Sequence, residues 1–403
     1  MSGPSIVIVG GAAMGSSVAA HLLADPAFRG GVRVVEKDPT YRLAASALSA
    51  ASIRQQYSQP VNIAMSLYGI AFLREIAAHL GVDGERSDLG LHEGGYLYLA
   101  ADRAAAARLA ANHAVQVGAG ADVVLLDPTG LAARFPWLET SGLALGAYGQ
   151  TGEGWFDGWA LLQGFRRKAR SLGAQYVQDE VVGLDVEGDR IVGVELGSGS
   201  RLACDVLVDC AGSGGPAVAA MAGVEIAVQA KRRSVFSFTA APLPDAPLLI
   251  DTTGVWMRPE SRPRGGSQTF IAGWSPPAAI DPDWADADPA SQEVDWPLFE
   301  EVVWPALAAR IPALAELRPG RAWTGPYDMN LVDHNALIGP APGLPNLILC
   351  NGFSGHGLQH SPAVGRGIAE LLIHGAYRTL DLSDLDPRRL MPGGVPLLER
   401  NVI

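Results

Sequence analysis

The sequence predicts an α/β protein. A Rossmann-like domain is assembled from discontinuous pieces, and a second, strand-rich domain is inserted between them. Three observations predict this. An apolar strand runs into a glycine turn and then a helix at residues 5–23, again at 205–215, and a third time at 347–374. The blocks between these junctions carry strands of their own. Pieces so far apart in the chain meet in one sheet only if the chain leaves that domain and returns to it.

The first junction is the most informative. Ser5-Ile6-Val7-Ile8-Val9 is a short, largely β-branched apolar run and reads as a buried strand. Gly10 turns the chain sharply off it. Position 12 must be small for the backbone to approach a pyrophosphate, and Gly15 lets the following helix, Ser16–Leu23, pack close to the sheet. Ala12, Ala13 and Met14 complete the loop, and the helix N-terminus offers free N–H groups and a positive dipole end to phosphates. The second strand, Val32–Val35, ends on Glu36, placed to accept hydrogen bonds from a ribose hydroxyl pair, with Lys37 beside it. A carboxylate there repels a 2′-phosphate, which disfavours NADP. The middle glycine of the fingerprint is replaced by Ala12. The pattern predicts a bound dinucleotide and leaves NAD and FAD both open.

After Glu36 comes a run of small residues, 44–52, which suits close packing against a flat ligand; Ser46 and Ser49 are its candidate contacts. Arg54-Gln55-Gln56-Tyr57 follows, and Pro60 opens a long amphipathic helix to about Leu80. Tyr96–Leu99 reads as a strand, Ala101 to Val117 as an alanine-rich helix, and 122–138 as a strand, a turn at Pro128-Thr129-Gly130 and a short helix. Gly152-Glu153-Gly154-Trp155-Phe156-Asp157 is a glycine- and aromatic-rich loop leading into the helix Trp159–Leu172. Residues 175–209 read as consecutive strands with a tight turn at Gly188-Asp189. The last strand ends at Ala211-Gly212, the second candidate dinucleotide contact. Residues 230–275 are strand-rich, 281–295 read as an exposed acidic loop, and a helix is expected from Trp296 to Arg310. Leu347-Ile348-Leu349 feeds Gly352-Phe353-Ser354-Gly355-His356-Gly357-Leu358-Gln359-His360, and the last helix is expected over Pro362–His374.

Composition narrows the function classes. With 48% apolar and 18% charged residues the chain can bury a substantial core, and no uninterrupted apolar stretch reaches membrane-spanning length. A first strand beginning at residue 5 leaves no room for a signal peptide, so a cytoplasmic protein is expected. A net charge of −12, with basic residues gathered only in short runs such as Lys231-Arg232-Arg233, argues against nucleic acid and anionic membranes as partners. Cys204, Cys210 and Cys350 lack metal-ligand spacing and read as buried structural thiols; no metal site is expected.

The fingerprint with Glu36, the junction Asp209-Cys210-Ala211-Gly212 and above all Gly352-Phe353-Ser354-Gly355-His356-Gly357 resemble the D-amino-acid oxidase, glycine oxidase and sarcosine oxidase superfamily of FAD enzymes. The match extends over nearly the whole chain. Within it, Gly152–Asp157, Gly355–Gln359 and the terminal Glu399-Arg400-Asn401-Val402-Ile403 point to the branch holding the mitochondrial FAD-dependent oxidoreductase-domain assembly factor and the dimethylglycine and sarcosine dehydrogenases. The resemblance implies an FAD-binding domain formed by residues 1–78, 151–228 and 328–403, the last including the C-terminal tail. It implies an α+β substrate domain with a mixed sheet from 79–150 and 229–327. It also implies that Gly355, His356, Gly357, Leu358 and Gln359 hold the flavin's pyrimidine end, with main-chain N–H groups stabilising charge on the reduced ring. Val182 is the weaker candidate for contacting adenine through its backbone.

A carboxylate-bearing substrate needs a cationic clamp, and arginine serves bidentately. The family's Arg-x-x-Tyr pattern matches Arg54 and Tyr57. A surface or interdomain salt bridge is the plainer role for Arg54. Sarcosine oxidases carry a second, lysine contact where this chain has Gln359; Arg258 is the candidate replacement, with an ion pair to Glu260 at least as good a reading. Trp155, Trp256, Trp274 and Tyr327 are candidates for an aromatic pocket, and His360 for a side chain facing substrate. Thr324-Gly325-Pro326 stands where some relatives attach FAD through cysteine, and 44–52 holds no histidine, so FAD is expected to be non-covalent. Trp256 stands where oxidase relatives activate oxygen with a lysine, which favours a dehydrogenase over an oxidase.

The expected reaction is oxidation of a secondary or N-substituted amino acid by hydride transfer to flavin N5, giving an imine that hydrolyses. The electron acceptor is O2, a quinone or an electron-transfer flavoprotein, and homo-oligomerisation is left open. Two alternatives stand beside it. One is a 2-hydroxy-acid dehydrogenase with His360 as base, and the other an FAD-binding assembly or scaffold protein without turnover.

Overall fold

The computed structural model describes residues 3–84, 87–285 and 289–402. Ser5–Val9 lies at the centre of a six-stranded sheet, between Val206–Asp209 and Gly31–Glu36, and parallel to both. Gln175–Gln178 extends it beyond Gly31–Glu36, and Leu344–Asn351 extends it beyond Val206–Asp209, both parallel; Leu337–Ala341 closes that edge antiparallel. All three glycine junctions thus emerge from neighbouring strands at the same end of one sheet. That is the crevice in which open α/β sheets bind ligands.

The helix after the first junction spans Ala13–Ala24, and Gly15 lies so close to Gly10 that a β-carbon would overlap the Gly10 carbonyl oxygen. It crosses the last helix, Gly357–His374, where Ser17 Oγ donates to the Ser361 carbonyl at 2.6 Å and Gly365 leaves room for Ser17. That last helix begins five residues before the expected Pro362. Proline favours a first turn but sits here in the second, where its missing N–H orphans the Leu358 carbonyl. Ser361 Oγ satisfies that carbonyl at 2.8 Å, so the helix tolerates the proline and its N-terminus reaches back to Gly357.

The second sheet is mixed and eight-stranded. Its order is Arg318–Asn330, Val228–Ala240, Gln268–Trp274, Val255–Pro259, Leu248–Ile250, Tyr96–Ala100, Leu145–Gly149, Val123–Leu126, and only the pairing of Leu248–Ile250 with Tyr96–Ala100 is parallel. Phe236, Phe238 and Phe270 pack beneath Phe299, Val303 and Leu307 of the covering helical segment. That segment runs from Trp296 to Arg310 as expected, but its middle, Phe299–Val303, is a π-turn. Pro305 accounts for it, having no N–H to donate to the carbonyl of residue 301.

Three local expectations are corrected. The helix from Pro60 is two pieces, Pro60–Arg74 and Ile76–Leu80, broken at Glu75. Pro128-Thr129-Gly130 is the first turn of the helix Pro128–Arg134, with Asp127 Oδ1 capping the Gly130 N–H at 2.7 Å. The acidic stretch from Asp281 is not simply exposed. Arg233 pairs bidentately with Asp281 at 2.5 and 3.0 Å, Lys231 with Asp283 at 2.6 Å, and Trp284 is buried. The basic run on strand Val228–Ala240 draws the acids down; residues 286–288 of this stretch lie outside the described residues.

Candidate active site

A cavity of about 620 Å³ lies between the glycine-junction end of the first sheet and the face of the second. At one end, main chain dominates. Gly10, at φ +90°, approaches the Cys210 carbonyl so closely that a β-carbon would stand 2.5 Å from its oxygen. Ala12, Ala13, Met14, Ala211 and Gly212 form the walls beside it, together with Glu36 and Lys37. Gly212, at φ +58°, has nothing within 4 Å of where a β-carbon would lie, leaving backbone open to a ligand. The Glu36 carboxylate accepts the Gly11 and Asp38 N–H groups, both at 2.8 Å, which aims it along the wall; burial raises its pKa. Ser46 and Ser49 line the middle of the cavity. Asp179, Glu180 and Val181 line the cavity, while Val182 is off the wall with its side chain turned to solvent.

The other end is formed by Gly355–Gln359 facing the second sheet. Ser354 and Gly355 adopt positive φ (49° and 82°), and a β-carbon on Gly355 would overlap the Tyr327 hydroxyl group. Asp328 Oδ2 accepts from the Gly352 and Phe353 N–H groups, each at 3.1 Å, pinning the turn; burial pushes its pKa up to about 6. The N–H groups of Gly357, Leu358 and Gln359 occupy the first helical turn, where no intrahelical acceptor exists.

Arg54 reaches this end of the cavity and is 2% exposed. Its Nη1 donates to the Gln56 carbonyl at 2.7 Å, and its Nη2 to the Asn401 carbonyl at 2.5 Å and to His356 Nε2 at 3.2 Å. All three acceptors are neutral, and among the described residues no carboxylate contacts Arg54 directly; the buried carboxylates of Glu399 and Glu153 act on it only at longer range. A guanidinium only donates, so His356 accepts through Nε2 and carries its proton on Nδ1. Burial, then Arg54 itself, holds His356 well below the usual imidazole range. Glu153 supports Arg54 from behind, accepting from the Gln55 N–H, the Gln56 N–H at 3.1 Å and Gln56 Nε2 at 2.8 Å.

Four expected substrate contacts stand off the wall. Tyr57 is fully buried, its ring 4.0 Å from the Arg54 guanidinium and edge-on to His356. His360 is enclosed behind the helix N-terminus, 3.0 Å from Ser66 Oγ, and burial lowers its pKa to about 3. The 2-hydroxy-acid reading thereby loses its candidate base. Arg258 donates to the Ala50 carbonyl at 3.1 and 2.7 Å and pairs with Glu260 at 2.5 Å, so it props the 44–52 segment. Trp155 packs on His92 and under Arg258. Trp256, Trp274, Tyr327 and Gln359 do line the cavity, and Tyr96 and Leu248 join them. Arg233 also lines it, stacked 4.6 Å over Tyr327. Its signal was present in the basic run Lys231-Arg232-Arg233. Glu153 and Asp328 could be anticipated only as acids next to motif residues, Cys210 only as a member of the second junction, and the cavity position of Cys350 had no signal.

The buried hydroxyls of Tyr41, Ser46 and Ser275 line this same cavity and have no hydrogen-bond partner among the described residues. Buried donors left so are rare unless a ligand completes them. With the glycine approaches at one end and the open N–H groups at the other, the walls fit an elongated dinucleotide such as FAD.

Comparison with known proteins agrees with that geometry. The family model described as "FAD dependent oxidoreductase" matches residues 5–371. FAD-dependent oxidoreductase domain-containing protein 1 of Xenopus laevis is 40% identical over 432 residues, covering 99% of this chain and 84% of that protein. Mitochondrial sarcosine dehydrogenase of Homo sapiens is 25% identical over 318 residues, 75% of this chain and 33% of that one. Among solved structures, L-proline dehydrogenase from P. horikoshii superposes with a TM-score of 0.82 at 24% identity, over 97% of this chain and 99% of that one.

Proposed function

Because this chain belongs to the FAD-dependent oxidoreductase family, which implies FAD, we propose that it holds the cofactor non-covalently and oxidises a secondary or N-substituted amino acid. The observation that carries the substrate class is Arg54. A buried guanidinium bonded only to neutral acceptors is costly unless an anion completes it. Three of its five N–H groups are engaged, which leaves donors for a substrate carboxylate. The names of two relatives, sarcosine dehydrogenase and L-proline dehydrogenase, support a secondary amine as the partner group.

Bound FAD supplies the acceptor for the hydride equivalent leaving the carbon next to nitrogen. The chain's own residues do the rest. Arg54 orients the carboxylate. Trp256, Trp274, Tyr96 and Tyr327 surround the remainder with low-polarity walls that disfavour an ammonium and so favour the neutral amine. The Gly357–Gln359 N–H groups and the positive helix end stabilise negative charge at the cofactor edge they face. Among the described residues Lys168 and Lys231 lie off the cavity wall, and Trp256, which lines it, is the residue that the family resemblance sets against an oxygen-activating lysine. We therefore favour a quinone or electron-transfer flavoprotein over O2 as acceptor.

The test is anaerobic mixing of the FAD-loaded protein with N-methyl and N-carboxyalkyl amino acids and with 2-hydroxy acids, following the flavin's visible band. Bleaching by one amine class supports the proposal, and slow recovery on admitting air supports a dehydrogenase. No bleaching by any amine, with full FAD occupancy, sinks it and leaves a scaffold role.

A further inference from the structure

The terminal residues Glu399–Asn401 hold one of the engaged donors of Arg54, although 345 positions separate Asn401 from Gln56. Their hold is specific. Glu399 is fully buried, and its carboxylate accepts five hydrogen bonds. The donors are Ser58 N and Oγ (both 2.8 Å), Gln59 N (3.2 Å), Asn62 Nδ2 (2.9 Å) and Asn401 N (2.9 Å). Four of these come from Ser58–Asn62, the entry and first turn of the helix Pro60–Arg74, which follows the Arg54–Tyr57 segment. Asn401 then spans back. Its Nδ2 donates to the Gln56 carbonyl at 3.0 Å, its Oδ1 accepts from Asn112 at 3.0 Å, and its own carbonyl takes Arg54 Nη2 at 2.5 Å. Gln56 and Asn401 thus receive Nη1 and Nη2 while being bonded to each other.

We propose that Glu399–Asn401 is a strap that positions the substrate-binding arginine, fixing the Arg54 guanidinium so that its remaining donors face the cavity. This rests on the reading of Arg54 as the carboxylate contact. A buried arginine has several rotamers of similar energy, and only acceptors at fixed places select one. Gln56 and His356 lie in elements adjoining the cavity. Asn401 is the acceptor delivered from outside it, and Glu399 is its anchor.

The experiment uses the FAD-loaded full chain, a chain ending at Leu398, Glu399→Gln and Arg54→Ala, each titrated with acetate as the carboxylate probe. The readout is the perturbation of the bound flavin's visible spectrum, with FAD content and Tm measured beside it. The strap predicts that both strap variants keep FAD and the unperturbed spectrum but bind acetate about tenfold or more weakly, approaching Arg54→Ala. If Arg54→Ala loses acetate while Glu399→Gln and the shortened chain bind it as the parent does, the strap is overturned and the Arg54 reading stands. If the parent shows no saturable response, the Arg54 reading fails and the strap with it. Should the shortened chain not fold, Glu399→Gln decides alone. A strap variant that lowers Tm or FAD content without changing the acetate affinity of the loaded fraction marks it as structural only and overturns the proposal.

Discussion

The three engaged N–H groups of Arg54 go to two carbonyls and a neutral imidazole, so no carboxylate among the described residues occupies the place a ligand's anion would take. Arg54→Ala should weaken a carboxylate-bearing substrate by about 10- to 100-fold, read in the concentration dependence of flavin bleaching. Arg54→Lys should recover little, since one ammonium cannot span Gln56, Asn401 and a ligand together. Glu153 gives a test of pH. Burial is the main cause that raises its pKa from 4.5 to about 7 in the folded protein. Between those values the unfolded chain binds fewer protons, so stability falls as pH rises through this window. Glu153→Gln removes that loss. The Tm of the parent should decline relative to the variant from pH 4.5 to 7 and stay parallel above it.

At the scale of elements, the turn and helix at Gly355–Gln359 are over-determined. Gly355 has φ +82° with Tyr327 where a side chain would project, and Asp328 holds the preceding N–H groups. Gly355→Ala should therefore displace Tyr327 and lower FAD retention, measured by the flavin-to-protein absorbance ratio. Ser361→Ala tests the proline turn. It leaves the Leu358 carbonyl unsatisfied and should cost roughly 1–3 kcal/mol in denaturant unfolding. This is also where the sequence misplaced an element. Proline at 362 signals a helix start in isolation, and only the serine before it, bonded to the Leu358 carbonyl, permits the earlier one.

For the whole molecule, one cavity between two sheets links folding to cofactor. Added FAD should raise the Tm of the apoprotein in a concentration-dependent way, because only the folded state presents all three junctions together. Acid precipitation should release all flavin into the supernatant, since Thr324, Gly325 and Pro326 offer no attachment point. Flavin retained in the pellet would redirect attention to Cys210 and Cys350, which also line the cavity.

The glycine-junction end of the cavity was legible in the sequence because main chain forms it. A strand, a glycine turn and a helix are contiguous in the chain, and Glu36 follows at the end of the next strand, so spacing alone places them. The discontinuous domain was legible for the same reason, repeated three times. The opposite end, proposed to take the substrate, was decided by tertiary structure. Its walls converge from Arg54, Tyr96, Arg233, Trp256, Trp274 and Tyr327, and whether each faces the cavity depends on register and reach. Trp256 and Arg258 lie two residues apart on one strand, yet one lines the cavity and the other reaches aside to Ala50. His360 sits one residue beyond Gln359, which lines the cavity, but the turn of the helix carries it behind the wall. Local sequence encodes backbone shape. The direction of a side chain toward a shared space is set by neighbours hundreds of residues away, as Asn401 is for Arg54.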